Sequence, residues 1–156
     1  MKRRAFLTVL AAAPLGISRA RGSGGPWGFW TRASAYGPGS YGPGAVTASG
    51  AAFGPELVTI AHRWLPLGAT VAVEIPPQPD AWGEGLRETG ALIWCRVLDR
   101  GPYVPDDPGR EVDLAMGLLR AAGWFDREIT AEVGLRSEYV EAHRWGERWV
   151  KVHVFG

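Results

Sequence analysis

Asp99 is the side chain whose type and position best suit it to chemistry. Asp99 ends an apolar run, Ala91-Leu92-Ile93-Trp94-Cys95-Arg96-Val97-Leu98, and precedes Arg100-Gly101-Pro102-Tyr103. The run has the length and the branched and aromatic content of a buried strand, and Gly101-Pro102 stops it. A carboxylate at that point stands on a rigid base and opens toward solvent, where a catalytic or binding group is useful. The competing role is structural, because an Asp in a turn commonly bonds turn amides or pairs with a neighbour such as Arg100. His62 follows a second apolar stretch, 57–61, and suits three roles: orienting a carboxylate, contacting a ligand or serving the fold. The three histidines, His62, His143 and His153, lack metal-ligand spacing, so no metal site is expected. Cys95 is the lone cysteine. It alternates with Ile93 and Val97, which assigns it to packing, and it has no partner for an intramolecular disulfide.

The elements that must position these groups are mostly strands. Residues 57–61 read as one strand, and 70–75 as another with Val71, Val73 and Ile75 on one face. Leu65-Pro66-Leu67-Gly68 and 105–109 read as turns, and 76–90 as a polar, Pro-rich loop carrying Trp82. The helix candidate is 113–122, with Leu114, Leu118 and Ala122 on one stripe, Gly123 as its stop and Asp113 as its N-cap. Beyond it, 128–133, 138–142 and 148–155 read as strands, the last with Val150, Val152 and Val154 on one face. A chain of 156 residues with 22 glycines and 12 prolines fits one turn-rich, all-β domain.

Both ends of the N-terminal segment read as processing signals. Lys2-Arg3-Arg4 is a basic region, residues 5–17 are apolar, and Ser18-Arg19-Ala20 has small residues where a signal peptidase reads. Residues 1–20 are therefore expected to be a signal peptide, or else an uncleaved anchor, and Arg3-Arg4-Ala5-Phe6-Leu7 resembles a twin-arginine export signal. Nothing later approaches the roughly 18 apolar residues of a membrane span. Residues 21–33 read as a Gly-rich linker that settles onto the folded domain through Trp27, Phe29 and Trp30, and 34–156 as that domain. Without 1–20 the chain carries 13 basic against 16 acidic residues, a net charge of −3. No basic patch stands out, which argues against nucleic acid and for a neutral polymer such as a glycan.

Six short pieces carry a resemblance: Tyr36-Gly37, Thr47-Ala48-Ser49-Gly50, Ala61-His62-Arg63, Leu65-Pro66-Leu67-Gly68, Asp99-Arg100-Gly101-Pro102 and Val112-Asp113-Leu114. In that order they resemble the rare lipoprotein A family, which is distantly similar to expansins. The resemblance implies a six-stranded double-psi β-barrel with one short α-helix. It also implies an exported lytic transglycosylase, periplasmic or extracellular, that acts on peptidoglycan glycan strands stripped of stem peptides. Cleavage of the β-1,4 bond after N-acetylmuramic acid would leave a 1,6-anhydro end and require no cofactor. Asp99 and His62 become the catalytic candidates, and Tyr36, Tyr41, Ser49, Arg100 and Tyr103 the substrate-binding ones. Two Tyr-Gly-Pro-Gly units, 36–39 and 41–44, would present Tyr36 and Tyr41 on a stiff loop, either to sugar faces or to the barrel. No cysteine lies near residue 20, so no lipid anchor is expected, and contact with the cell-division machinery is a weaker implication. One departure stands out: Ala51 follows Thr47-Ala48-Ser49-Gly50 where active members carry Glu. It keeps open a second class, a glycan-binding barrel without turnover, similar to expansins.

Overall fold

A computed structural model describes residues 7–9, 26–37, 44–77, 90–103, 107, 109–124 and 145–156. Among these residues the strands are β1 (Leu7–Val9), β2 (Trp27–Tyr36), β3 (Thr59–His62), β4 (Thr70–Ile75), β5 (Ala91–Asp99), β6 (Arg110–Ala115) and β7 (Arg148–Phe155), and α1 (Met116–Ala121) is a short helix. Six of them close into a barrel in the order β5-β3-β6-β2-β7-β4, the ring being completed by the β4–β5 pair. The fold is all-β, as expected. Two neighbouring pairs, β2/β6 and β3/β5, are parallel. Parallel neighbours cannot be joined by a hairpin; along the ring the chain passes over one strand between β2 and β3, β3 and β4, β5 and β6, and β6 and β7, the crossed connections of a double-psi barrel.

The alternation legible in β4 and β7 is realised. Val71, Val73 and Ile75 of β4 and Val150, Val152 and Val154 of β7 fill the interior with Ile60, Ile93, Val97, Val112 and Leu114. A small barrel of this strand number has room for side chains and little else. β7 lies between β2 and β4, so the last eight residues of the chain's final strand are a wall of the barrel. Cys95 packs against this core, and burial pushes its thiol up to about 12, far from a nucleophile's range.

Three boundaries differ from the sequence pattern. β2 begins at Trp27, inside the stretch that reads as linker, because residues 27–33 pair along their length with β7. Leu7–Val9, within the segment that reads as a signal peptide, pairs in parallel with residues 91–93 of β5. The helix begins at Met116 and not at Asp113: residues 110–115 are drawn into β6 by pairing with both β2 and β3. Its N-cap is Ala115, without a side-chain cap bond, so Asp113 does not cap it. The expected stop holds. Gly123 has φ +75, and the amides of Gly123 and Trp124 donate to Arg120 and Leu119 carbonyls, both at 2.9 Å, which is a Schellman ending. The expected strands 128–133 and 138–142 lie outside the described residues.

A six-residue helix is not stable on its own and is held by docking on the segment 55–57. Arg120 Nη1 donates to the Pro55 carbonyl at 2.7 Å, and a Cβ at Gly117 would lie 2.5 Å from the Leu57 carbonyl oxygen. Gly117→Ala is therefore expected to push the helix off its seat and to cost about 1–3 kcal/mol, the usual range for overpacking. Urea unfolding would measure it, and an unchanged midpoint would refute the close approach.

Candidate functional site

The site is built on the outer face of the wall β5-β3-β6-β2. Along β5, alternation from Ile93 through Cys95 and Val97 would aim Asp99 into the core. A register shift intervenes: Ile60 pairs with Val97, but Ala61 pairs with Asp99. Leu98 is the extra residue of a bulge, a device that re-aims the side chains beyond it. Its backbone is satisfied locally, the Leu98 amide donating to Thr59 Oγ1 at 3.2 Å and its carbonyl accepting from the Ser49 amide at 2.9 Å. The consequence is a cross-strand row in which Asp99 faces Ala61, Ala61 faces Asp113 and Asp113 faces Ser34.

Asp99 Oδ1 accepts the amides of Ala48 and Arg100, both at 2.9 Å, while Oδ2 has no partner among the described residues. The Ala48 bond ties the strand end to the tip of the loop 44–54. That tip is itself braced: the Thr47 amide donates to the Ala51 carbonyl at 2.9 Å, and the hydroxyls of Thr47 and Ser49 bond each other at 2.9 Å. Gly50 turns the tip at φ +84. The described residues of this loop carry no carboxylate, Ala51 included.

Asp113, one strand beyond Ala61, mirrors this arrangement. Its Oδ1 accepts from Ser34 Oγ and, at 3.0 Å, from Arg110 Nη2, and its Oδ2 has no partner among the described residues. Arg110 and Arg32 both donate to Glu147, each at 3.1 Å, and Arg32 also donates to Asp107. Asp113 is thus the inner end of a chain of ion pairs leading to the rim. With strands about 4.8 Å apart, the Cα atoms of Asp99 and Asp113 stand about 10 Å from each other. Gly101 lies between them. A Cβ there would meet Asp113 Oδ2 at 3.5 Å and the Ala61 Cβ at 3.8 Å, and its φ of +137 suits only glycine.

Arg100 does not pair with Asp99. Its guanidinium turns to the loop after β3 and donates to the carbonyls of His62 and Leu65 at 3.1 and 2.7 Å. His62, 3% exposed, makes its ring bonds in the same loop, with Nδ1 accepting the amides of Trp64 and Leu65, both at 3.0 Å. Among the described residues it has no bond to Asp99. Burial first, then the charges of Arg100 and Arg63, lower its pKa from 6.5 to about 4. The folded chain therefore keeps His62 neutral while the unfolded chain protonates it between pH 6.5 and 4. Stability from this residue is full above pH 6.5 and lost as pH falls toward 4, by about 3 kcal/mol in all. His62→Asn, which keeps an acceptor near the Nδ1 position, should flatten that part of the pH–stability curve. An equally steep curve in the variant would show that other groups cause it.

The remaining candidates separate. Ser49 is exposed beside Asp99, and Tyr103 is 81% exposed just past Pro102. Tyr36 is 6% exposed, its ring stacked on Phe53 with centroids 5.2 Å apart, so it is packing and not a surface platform. Tyr41 and Trp82 lie outside the described residues. Two features escaped the sequence pattern. Asp113 joins the site only through the non-local pairing of β6 with β3 and β2. Trp64 is 77% exposed on the His62 loop, and its one signal is a large aromatic within a turn. Among the described residues no group of three His, Cys, Asp or Glu side chains could hold a metal.

This geometry can be set beside known proteins. Over 91 residues, 58% of this chain, it is 37% identical to a probable endolytic peptidoglycan transglycosylase RlpA of Nostoc sp. and 40% identical to its namesake in Synechocystis sp.. The chain resembles the RlpA transglycosylases. It spans about a fifth of the length of these relatives, 21% and 23%. No protein-family model matches the chain. Among solved structures, the lytic transglycosylase MltA of Escherichia coli aligns over 74% of this chain and 28% of its own, at 18% identity and a TM-score of 0.42. A second MltA structure aligns over 73% and 28%, at 15% identity and the same TM-score of 0.42. These likenesses are too distant to inform the site.

Proposed function

We propose that the chain is an exported lytic transglycosylase of peptidoglycan in which Asp99 is the acid and base. The observation that carries this reading is the Asp99 carboxyl, anchored through Oδ1 and unpartnered at Oδ2 among the described residues, on an open face of a chain similar to transglycosylases. In the reaction the 6-hydroxyl of N-acetylmuramic acid attacks its own anomeric carbon, so no water has to be positioned. Asp99 Oδ2 gives a proton to the leaving glycosidic oxygen and then takes the proton of the 6-hydroxyl, leaving a 1,6-anhydro end. The two amides on Oδ1 keep the carboxyl in one orientation through both transfers. Asp113 Oδ2 supplies a second negative charge near the positive charge that develops on the sugar ring, and so offsets the missing Glu at position 51. Ser49 and Tyr103 contact the glycan, whereas Arg100 and His62 act by holding the loop after β3. Glycan strands freed of stem peptides are the substrate, and the protein works in the periplasm or outside the cell. The described residues contain no helix long and apolar enough to cross a membrane. Contact with the cell-division machinery belongs to the same proposal and is tested by whether a fluorescent fusion gathers at the septum.

Ala51 favours one other reading, a glycan-binding barrel without turnover. Incubating the full chain with amidase-treated peptidoglycan and analysing the digest by mass spectrometry separates the two. Release of 1,6-anhydro products supports the transglycosylase. Co-sedimentation with the glycan in the absence of products makes it a binder. If neither is seen, both readings fail.

A further inference from the structure

Trp64 stands out among the described tryptophans, with 77% of its surface in water. Large aromatic side chains are usually well buried, and leaving one exposed forgoes the free energy of removing it from water. The loop that carries it is nevertheless fixed. The Trp64 amide donates to His62 Nδ1, Leu65 next to it is buried, and Arg100 clamps the carbonyls on either side, those of His62 and Leu65. Arg63 Nε, one residue before, donates to the Pro102 carbonyl, one residue before Tyr103. Trp64 and Tyr103 are thus the exposed aromatics of two loops bonded to each other, and Arg100, the clamp, directly follows Asp99. The rings are presented on rigid backbone at a fixed remove from the carboxyl, which lowers the entropic cost of binding.

We propose that Trp64 and Tyr103 form a stacking subsite for the apolar face of a pyranose ring, seating an N-acetylhexosamine of the glycan beside Asp99. The proposal rests on the glycan reading above. A pyranose offers a flat face of C–H groups bordered by hydroxyls, which suits a water-exposed aromatic ring better than a wholly apolar ligand does. Trp64 is a specificity-determining residue, not one that takes part in proton transfer.

The test uses the full chain with Asp99→Asn, which suppresses turnover, and two probes: a soluble β-1,4-linked N-acetylglucosamine tetramer and amidase-treated glycan strands. Adding Trp64→Ala is expected to weaken binding of both by about 10-fold, and adding Trp64→Phe, which keeps a ring, by no more than about 3-fold. Because Trp64 is on the surface, the thermal midpoint should stay where it is. If the Asp99→Asn protein binds both probes and Trp64→Ala changes neither affinity, the subsite is refuted while the glycan reading stands. If the Asp99→Asn protein binds neither probe, the subsite and the glycan reading fall together.

Discussion

Asp99→Asn is expected to lower the release of 1,6-anhydro products by about 10²–10⁴-fold, the range that general acid–base catalysis supplies, while leaving glycan binding within about 2-fold. The reason lies in the division of labour between the two oxygens. Asn retains an Oδ1 that accepts the amides of Ala48 and Arg100, so the loop tip and the strand end stay joined. The change removes the proton-carrying oxygen, Oδ2, and little else. Asp99→Ala is the contrasting variant, since it also frees the Ala48 amide and should loosen the loop 44–54. Asp113→Asn is expected to cost less, about 10-fold, because it removes a stabilising charge and not the proton carrier. Full activity in Asp99→Asn with loss in Asp113→Asn would exchange the roles of the two carboxylates. Full activity in both would remove the site from the chemistry altogether.

Trp145→Ala is expected to cost about 3–5 kcal/mol of stability, the usual range for truncating a buried tryptophan. Trp145 is wholly buried. Its Nε1 donates to the Ala33 carbonyl of β2 at 3.0 Å, and its ring meets Trp124 edge-on at 4.9 Å. The Arg148 guanidinium lies 4.7 Å from the Trp124 ring centroid and 5.4 Å from that of Trp145, with Nε donating to the Trp145 carbonyl at 2.7 Å. One indole thus pins β2, the segment after α1 and the start of β7 together. Against a total stability of about 5–15 kcal/mol for a domain of this size, the loss would leave a substantial unfolded population. Trp145→Phe keeps most of the volume but loses the bond to Ala33, for which about 1–2 kcal/mol is expected. Urea midpoints at constant slope measure both, and a loss below about 1 kcal/mol for the Ala variant would refute the pinning role.

The parts of this protein legible in the sequence alone are those fixed by local pattern. Strict alternation in 70–75 and 148–155 gives β4 and β7 with their inward valines, because a period of two allows one buried face and no other. The Gly101-Pro102 break puts Asp99 at a strand end, since neither residue continues a ladder, and Gly123 stops the helix for want of a Cβ. The six motif pieces together led to the barrel and to the RlpA resemblance.

What needed the tertiary structure is non-local. Leu114 satisfies the two-residue period of a strand and the stripe of a helix alike, so only the pairing of β6 with β2 and β3 decides that Asp113 joins the site instead of capping α1. Residues 27–33 look like linker until β7, more than a hundred positions later, supplies their partners. The face that Asp99 occupies is reversed from its own strand's alternation by a bulge opposite Ile60 and Ala61, and a single inserted residue in a pairing leaves no mark in composition. Tyr36 is buried because Phe53 folds over it, and Arg100 leaves Asp99 alone because two carbonyls of another loop claim its guanidinium. Hydrophobic period is a property of neighbours in the chain, whereas register, bulges and ion-pair partners are set by which strands meet, and closure of the barrel settles that.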